Sequence, residues 1–312
     1  METASKDVLF TIALNLELPE LLKWCSSSSR INRNVCQNSD VWRSKLLKDY
    51  PNEYHDYQKF GLNRSLREIY VFFYQLSYIK KLLNSNESLY EIFLKKELKL
   101  LSKNLKKVPA FDLPNLQVLD LSNNQLKDVP EFNIPDLHAL YLSVNLLTEV
   151  PAFDLPNLQI LNVSYNQLTE VPAFDLPNLQ ELYLYNNRLT EIPTWNLPNL
   201  RKLNLSDNQL KEVPGFDLPK LQELTLYNNQ LREVPAWNLP KLQVLDLSDN
   251  LLKKLPEFDL PNLLRLYLSD NQLTELPVFN LPNNLERFWV LNNQLTQEEK
   301  VKIKKKYPNA SL

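Results

Sequence analysis

The chain has 312 residues, with 35 Lys and Arg against 37 Asp and Glu, a formal charge of −2 and a pI of about 5.9. That balance offers no basic field for nucleic acid. Gly61 and Gly215 are the only glycines, which excludes a glycine-rich phosphate loop, and Cys25, Cys36, His55 and His138 lack the spacing of a zinc site.

The opening METASKDVLFTIALNLELPELL has acidic residues before a short apolar run and no small-residue cleavage site, so no signal peptide is expected. The most apolar later stretch, residues 69–79, is too short to span a bilayer and is interrupted by Gln75. Cysteine is scarce, which favours a reducing compartment. The expectation is a soluble, intracellular protein, cytoplasmic with the nucleus left open, that contacts neither membrane nor nucleic acid. The sequons at Asn63, Asn162 and Asn204 are then incidental.

Residues 7–16 place Leu9, Ile12 and Leu16 on one helical face, and Pro19 suits the first position of a second helix. Serines at 26–29 interrupt, Ile31 and Val35 follow at i, i+4, and Ser39 with Asp40 can cap a fourth helix carrying Trp42, Leu46 and Leu47. Ser65 with Glu68 and Ser88 with Glu91 have capping-box spacing, and the segment between them is apolar enough for a buried helix. Each cysteine is expected to pack within a helix.

DVLFTIALNL at 7–16, PELLKWC at 19–25 and NSDVWRSKL at 38–46 together resemble an F-box. The likeness covers about residues 5–50 and departs twice. The leading Leu-Pro is missing, and SSSRI at 27–31 replaces the usual apolar-Cys-basic-x-Trp segment. The resemblance, found in eukaryotes and large DNA viruses, implies docking on a Skp-type adaptor of a cullin–RING ubiquitin ligase, with C-terminal repeats holding the protein to be ubiquitinated. By position it would assign Leu9, Ile12, Leu16, Leu21 and Leu22 to the adaptor-facing helices. Each of these also suits the core of a small helical domain, and the whole segment also suits a helical cap for a solenoid.

Residues 98–109 look like a degraded first repeat, with Lys103 where an asparagine recurs later, and are expected to join the two regions without a free linker. From there the pattern of residues 116–135, LQVLDLSNNQLKDVPEFNIP, returns every 21 residues, marked by Asn124, Asn145, Asn166, Asn187, Asn208, Asn229, Asn250 and Asn271. Asn293 comes one residue late because Asn283-Asn284 inserts one. The spacing L-x-x-L-x-L-x-x-N-x-L is that of a leucine-rich repeat. Leu119 and Leu121 alternate with Val118 and Asp120, which predicts a short strand, and stacked asparagines can satisfy backbone groups at the bend after it. Pro130 and Pro135, repeated down to Pro277 and Pro282, exclude an α-helix from the return limb and imply a thin convex side and a shallow arc.

The predicted fold is an all-helical N-terminal domain followed by a leucine-rich repeat solenoid. The solenoid has a single parallel sheet on its concave face, an extended or turn-like convex side and a short C-terminal capping helix. The expected divisions are 1–50, 51–97, 98–295 and 296–312.

On the strand face, one variable column runs Val118, Ala139, Ile160, Glu181, Lys202, Glu223, Val244, Arg265, Arg287, and the next includes Tyr141, Tyr183, Tyr267 and Trp289. Val144, Tyr165, Tyr185 and Tyr227 lie at strand ends. Aromatic side chains with polar tips suit protein recognition, so the concave face is the expected site of a protein ligand, centred on Tyr141, Tyr165, Tyr183 and Tyr185. The same aromatics also suit cross-strand packing. The acidic column from Asp128 to Glu275 reads as a solvated rim. The column from Phe132 through Trp195 and Trp237 to Phe279 reads as a core stack. Thr296 with Glu299 has capping-box spacing before a lysine-rich helix that can cap the array. No catalytic constellation, metal site or cofactor is expected. The sequence thus predicts a non-enzymatic adaptor, an F-box substrate receptor, or alternatively a stand-alone binding or inhibitory scaffold whose helical head is only a cap.

Overall fold

The structure is a computed structural model that describes residues 5–277, 282 and 285–312. The chain divides into two compact units, Met1–Lys95 and Lys96–Leu312. Among the described residues no helix is long and apolar enough to cross a membrane.

The first unit contains α1 (Lys6–Asn15), α2 (Leu18–Ser26), α3 (Ser29–Ile31) running into a π-helical turn (Asn32–Cys36), and α4 (Ser39–Asp49). Then come α5 (Pro51–His55), a 3-10 turn (Tyr57–Phe60), α6 (Leu66–Leu83) and α7 (Leu89–Phe93). Ser65 with Glu68 and Ser88 with Glu91 close the capping boxes at the starts of α6 and α7. The cap of α4 is Asn38 rather than Ser39, its carboxamide oxygen accepting from Asp40 N at 3.0 Å. Pro19 is the second rather than the first residue of α2. Helix α6 buries Ile69, Tyr70, Phe72, Phe73, Leu76 and Ile79 against its neighbours, chiefly α4 and α7.

Two long-range features of this unit lie outside the sequence reading. Lys45 is 1% exposed. Its ammonium donates to Leu16 O at 2.9 Å, just past the end of α1, and pairs with Asp49 at 3.2 Å, which also accepts from the Tyr70 hydroxyl at 2.6 Å. A buried cation is tolerated there because a carboxylate and a helix-end carbonyl both face it. Cys25 and Cys36 form a disulfide, their Cα atoms 6.0 Å apart. The turn through the serines at 26–29 brings the end of α2 beside the π-helical turn, so the cysteines are partners rather than separate core residues. The bond also removes the cysteine-based reason for expecting a reducing compartment.

The second unit is built on one parallel sheet whose strands follow chain order. They are β1 (Glu97–Lys99), β2 (Val118–Asp120), β3 (Ala139–Tyr141), β4 (Ile160–Asn162), β5 (Glu181–Tyr183) and β6 (Lys202–Asn204). After them come β7 (Glu223–Thr225), β8 (Val244–Asp246), β9 (Arg265–Tyr267), β10 (Arg287–Trp289) and β11 (Ala310–Ser311). The register never slips, because the middle residue of β1 to β9, as in Leu119↔Leu140↔Leu161, is a leucine no more than 1% exposed, and Phe288 takes that place in β10. A one-residue slip would turn every such leucine to solvent. The return limbs are extended or turn-like among the described residues, as the paired prolines require. Phe111, Phe132 and Phe153 stack along them with ring centroids 6.1 and 6.3 Å apart. Where tryptophan replaces phenylalanine, its indole N–H finds a carbonyl one repeat back, Trp195 on Pro172 O and Trp237 on Pro214 O, both at 3.1 Å. Phe279, assigned to the same stack, and the Asn283-Asn284 insertion lie outside the described residues.

The recurrent asparagine holds neighbouring repeats together. Asn187 donates to Leu184 O at 2.9 Å in its own repeat and to Val163 O at 3.1 Å in the preceding one. Its oxygen accepts from Leu168 N at 3.1 Å. The degraded first repeat lacks this residue yet is still held, since Asn124 Oδ1 accepts from both Lys103 N and Leu105 N at 3.0 Å.

At the other end, α8 (Gln297–Lys306) starts on Thr296, whose hydroxyl accepts from Glu299 N at 3.2 Å. Glu299 does not close the expected box. Its carboxylate accepts instead from Leu276 N at 3.4 Å and lies 3.7 Å from Lys302. Ile303 and Tyr307 are buried, and Tyr307 meets Phe288 edge-on at 5.3 Å. The chain then adds β11, paired in parallel to β10, a strand the sequence reading did not foresee.

Asn187→Ala leaves Leu168 N without a partner and takes one of two donors from Val163 O and Leu184 O, which keep Asn166 and Asn208. It is expected to destabilise the array by about 1–3 kcal/mol in urea unfolding. Asn187→Asp, nearly the same shape, turns an oxygen toward two carbonyls and should cost at least as much. Equal stability of all three proteins would remove the asparagine from its supporting role.

Candidate recognition surface

In each three-residue strand the middle residue, leucine in all but β10, enters the core, so the first and third residues line the opposite face. A further buried leucine or valine follows, then two corner residues where the chain leaves the sheet. In β5 these are Glu181 and Tyr183 on the face, with Tyr185 and Asn186 at the corner.

The structure brings several predicted residues together. Tyr165 meets Tyr185 edge-on at 5.2 Å, and Tyr185 meets Tyr183 at 6.5 Å. The Tyr183 hydroxyl donates to Glu181 Oε2 at 2.8 Å. Burial chiefly, and then that hydrogen bond to a carboxylate, push the Tyr183 phenol well above its ordinary range. Tyr141 is raised as well, first by burial and then by the charge of Glu181. Lys202 sits between Glu181 and Glu223, at 3.8 and 3.9 Å, and offsets one of their two negative charges. These are half-exposed pairs and contribute little to stability. Tyr227 is exposed and stands apart from this cluster. Ala139, expected on the surface, is buried.

A second group lies on β9 and β10. Tyr267 meets Trp289 edge-on at 5.2 Å, and the Arg287 guanidinium lies over the Trp289 ring at 5.9 Å. Arg265 Nε is 3.2 Å from Glu286. Between the two groups, Asp246 is held well inside the face, where burial raises its carboxyl above the usual range against the lowering effect of its bond to Ser248 N.

The corner carries a signal that the sequence reading missed. From Asn123 to Asn292 the second corner residue of every repeat has a left-handed backbone, with φ between 52° and 55°. Asn and Asp fill seven of these nine positions, and they tolerate that conformation best after glycine. Several link along the corner, as Asn228 Nδ2 does to Asp207 Oδ1 at 2.8 Å. Val144 and Tyr165 occupy the other two, with φ of 55° and 53°. Neither suits a left-handed backbone, neither can join the amide–carboxylate links, and they are 46% and 50% exposed. Beside Val144, Leu146 is 38% exposed where most repeats carry glutamine. Aligning the corner column would have revealed the exception, but only knowledge of its backbone angle gives it meaning.

The F-box-like positions divide. Leu9 and Leu21 are buried in the core of their own unit, while Ile12, Leu16 and Leu22 are half-buried. Leu9 and Leu21 therefore have no surface to offer a partner without rearrangement. Among the described residues no group of three or more His, Cys, Asp or Glu gathers to hold a metal.

Val144→Asn and Tyr165→Asn restore the residue that fits the corner, and each is expected to stabilise the array, by about 1 kcal/mol. Urea unfolding of the two variants measures this. A loss of stability in either would mean that the apolar side chain is there for packing.

Residues 114–260 match, in overlapping segments, the family described as leucine-rich repeats in two copies. No curated protein matches the chain in sequence. Among solved structures, it is similar to a leucine-rich repeat protein of Leptospira interrogans, at 35% identity and a TM-score of 0.62 over 67% of this chain and 57% of that one. It is also similar to YopM, a leucine-rich effector protein of Yersinia pestis, at 33% identity and a TM-score of 0.58 over 65% of this chain and 56% of that one. The YopM of Yersinia enterocolitica covers 80% of this chain, which spans 56% of it, at 28% identity and a TM-score of 0.55. The chain thus spans little more than half the length of these three structures. The repeated part of this protein is a leucine-rich repeat array.

Proposed function

We propose that this protein is a non-catalytic recognition scaffold whose strand face and adjoining corner bind a protein ligand. The observation that carries this reading is the exposed apolar and aromatic group at Val144, Leu146 and Tyr165, continuous with Tyr185 and Tyr183. It is placed where other repeats carry asparagine or aspartate at the Val144 and Tyr165 positions and mostly glutamine at the Leu146 position, so the requirements of the repeat do not account for it. Tyr141, Tyr227, Tyr267 and Trp289 extend the aromatic surface, and Glu181, Lys202 and Arg265 give it a charge pattern. Aromatic side chains confer contact area at low entropic cost, which is why they dominate protein interfaces.

The finer reading concerns the head. Helices α1, α2 and α4 fall on the three F-box-like blocks, which supports a module that docks a Skp-type adaptor and links the bound ligand to a cullin–RING ubiquitin ligase. Ile12, Leu16 and Leu22 would be its contact residues. The burial of Leu9 and Leu21 and the Cys25–Cys36 bond favour the second reading, a stand-alone scaffold with a structural head. Titrating the full chain against a purified Skp-type adaptor separates the two. The adaptor reading expects submicromolar binding, weakened about tenfold or more by Ile12→Asp or Leu22→Asp with helicity unchanged. A folded chain that fails to bind leaves the stand-alone scaffold.

A further inference from the structure

The strand face breaks its own construction rules in two separate places, and the two call for different chemistry. The first is the corner of β3 and β4, where Val144 and Tyr165 hold a left-handed backbone that asparagine would hold at lower cost. The second is the pair Arg265 and Arg287, which lie directly opposite each other in the register of β9 and β10. Like charges directly opposite on adjacent strands destabilise a sheet. Glu286 offsets Arg265 in part, and Arg287 rests on the Trp289 ring, yet both side chains remain exposed. Between the two places Lys202 pairs with both Glu181 and Glu223, which leaves that stretch of the column with a single net negative charge and, among the described residues, no free cation for an acidic group.

We infer that the ligand is a protein segment with two anchors, an apolar or aromatic one seated on Val144, Leu146 and Tyr165 and an acidic one facing Arg265 and Arg287. The inference rests on the reading of the strand face as a protein-binding surface. Charge complementarity fixes the polarity of the segment, because the guanidiniums can accept carboxylates in bidentate geometry while the apolar corner offers none. From β4 to β9 there are five strand-to-strand steps. At about 4.8 Å each they separate the anchors by roughly 24 Å. That distance is covered by about 7 residues of extended chain or about 16 of α-helix.

The test uses the full chain as bait for a displayed library of random 20-residue peptides, in parallel with the double variants V144N/Y165N and R265E/R287E. The expected result is enrichment of sequences with aromatic or aliphatic residues toward one end and Asp or Glu toward the other. Chosen peptides, remeasured by titration, should bind V144N/Y165N about tenfold more weakly. Selection on R265E/R287E should replace the acidic end by a basic one and keep the apolar end. Enriched peptides in which acidic and apolar residues are interspersed, or which bind R265E/R287E unchanged, overturn the two-anchor arrangement while leaving the recognition surface standing. No enrichment over V144N/Y165N overturns the recognition surface itself.

Discussion

The interaction on which the rest of the array depends is the buried asparagine amide that joins each repeat to the one before it. Parallel strands of three residues are too short to hold a sheet by their own ladder, and the prolines on the return limb remove backbone donors. The asparagine compensates at the bend, where carbonyls would otherwise be buried without partners. From Asn124 to Asn293 the same side chain donates to a carbonyl of its own repeat and to one of the preceding repeat. Leucine burial then follows, since neighbouring leucines can close over one another only when the repeats are stacked at a fixed register.

A fold held from the leucine side and from the corner leaves the outer face little structural duty beyond the local bonds that Asp120, Asn162, Asn204 and Asp246 accept from the backbone two residues on. That freedom explains why the first and third strand positions range from Val118 and Ile160 through Glu181 and Lys202 to Arg265 and Trp289 without altering the register. It also makes exceptions informative. Where the same corner carries asparagine or aspartate seven times, a valine and a tyrosine in the same backbone conformation have no structural explanation in the repeat itself.

What could be read from the sequence was what repeats. A 21-residue period states each structural requirement many times, so the strands, the asparagine ladder, the aromatic stack and the absence of helix on the return limb were all legible. What occurs once was not. Lys45 reaches Leu16 across 29 positions, Cys25 finds Cys36, and Ala310-Ser311 joins β10, and in each case the partner is chosen by tertiary placement rather than by local pattern. The helices of the head were legible from their caps. Which of its leucines face inward was not, because Leu9 and Ile12 share a helical face in sequence but differ in burial. In the recognition surface the residues were legible and the strain was not, since Tyr165 and Tyr185 look alike until backbone angles separate them.

The central claim is that face and fold are separable. The most direct measurement replaces Tyr141, Tyr165, Tyr183, Tyr185, Tyr227, Tyr267 and Trp289 together with the Asn, Asp, Ser or Thr found in the same columns of other repeats, and records urea unfolding of the array. The account predicts a midpoint equal to or above that of the parent, with an unchanged slope. A midpoint well below it would show that the aromatics hold the sheet together by cross-strand packing, and the face would then have to be regarded as structure rather than as a binding surface.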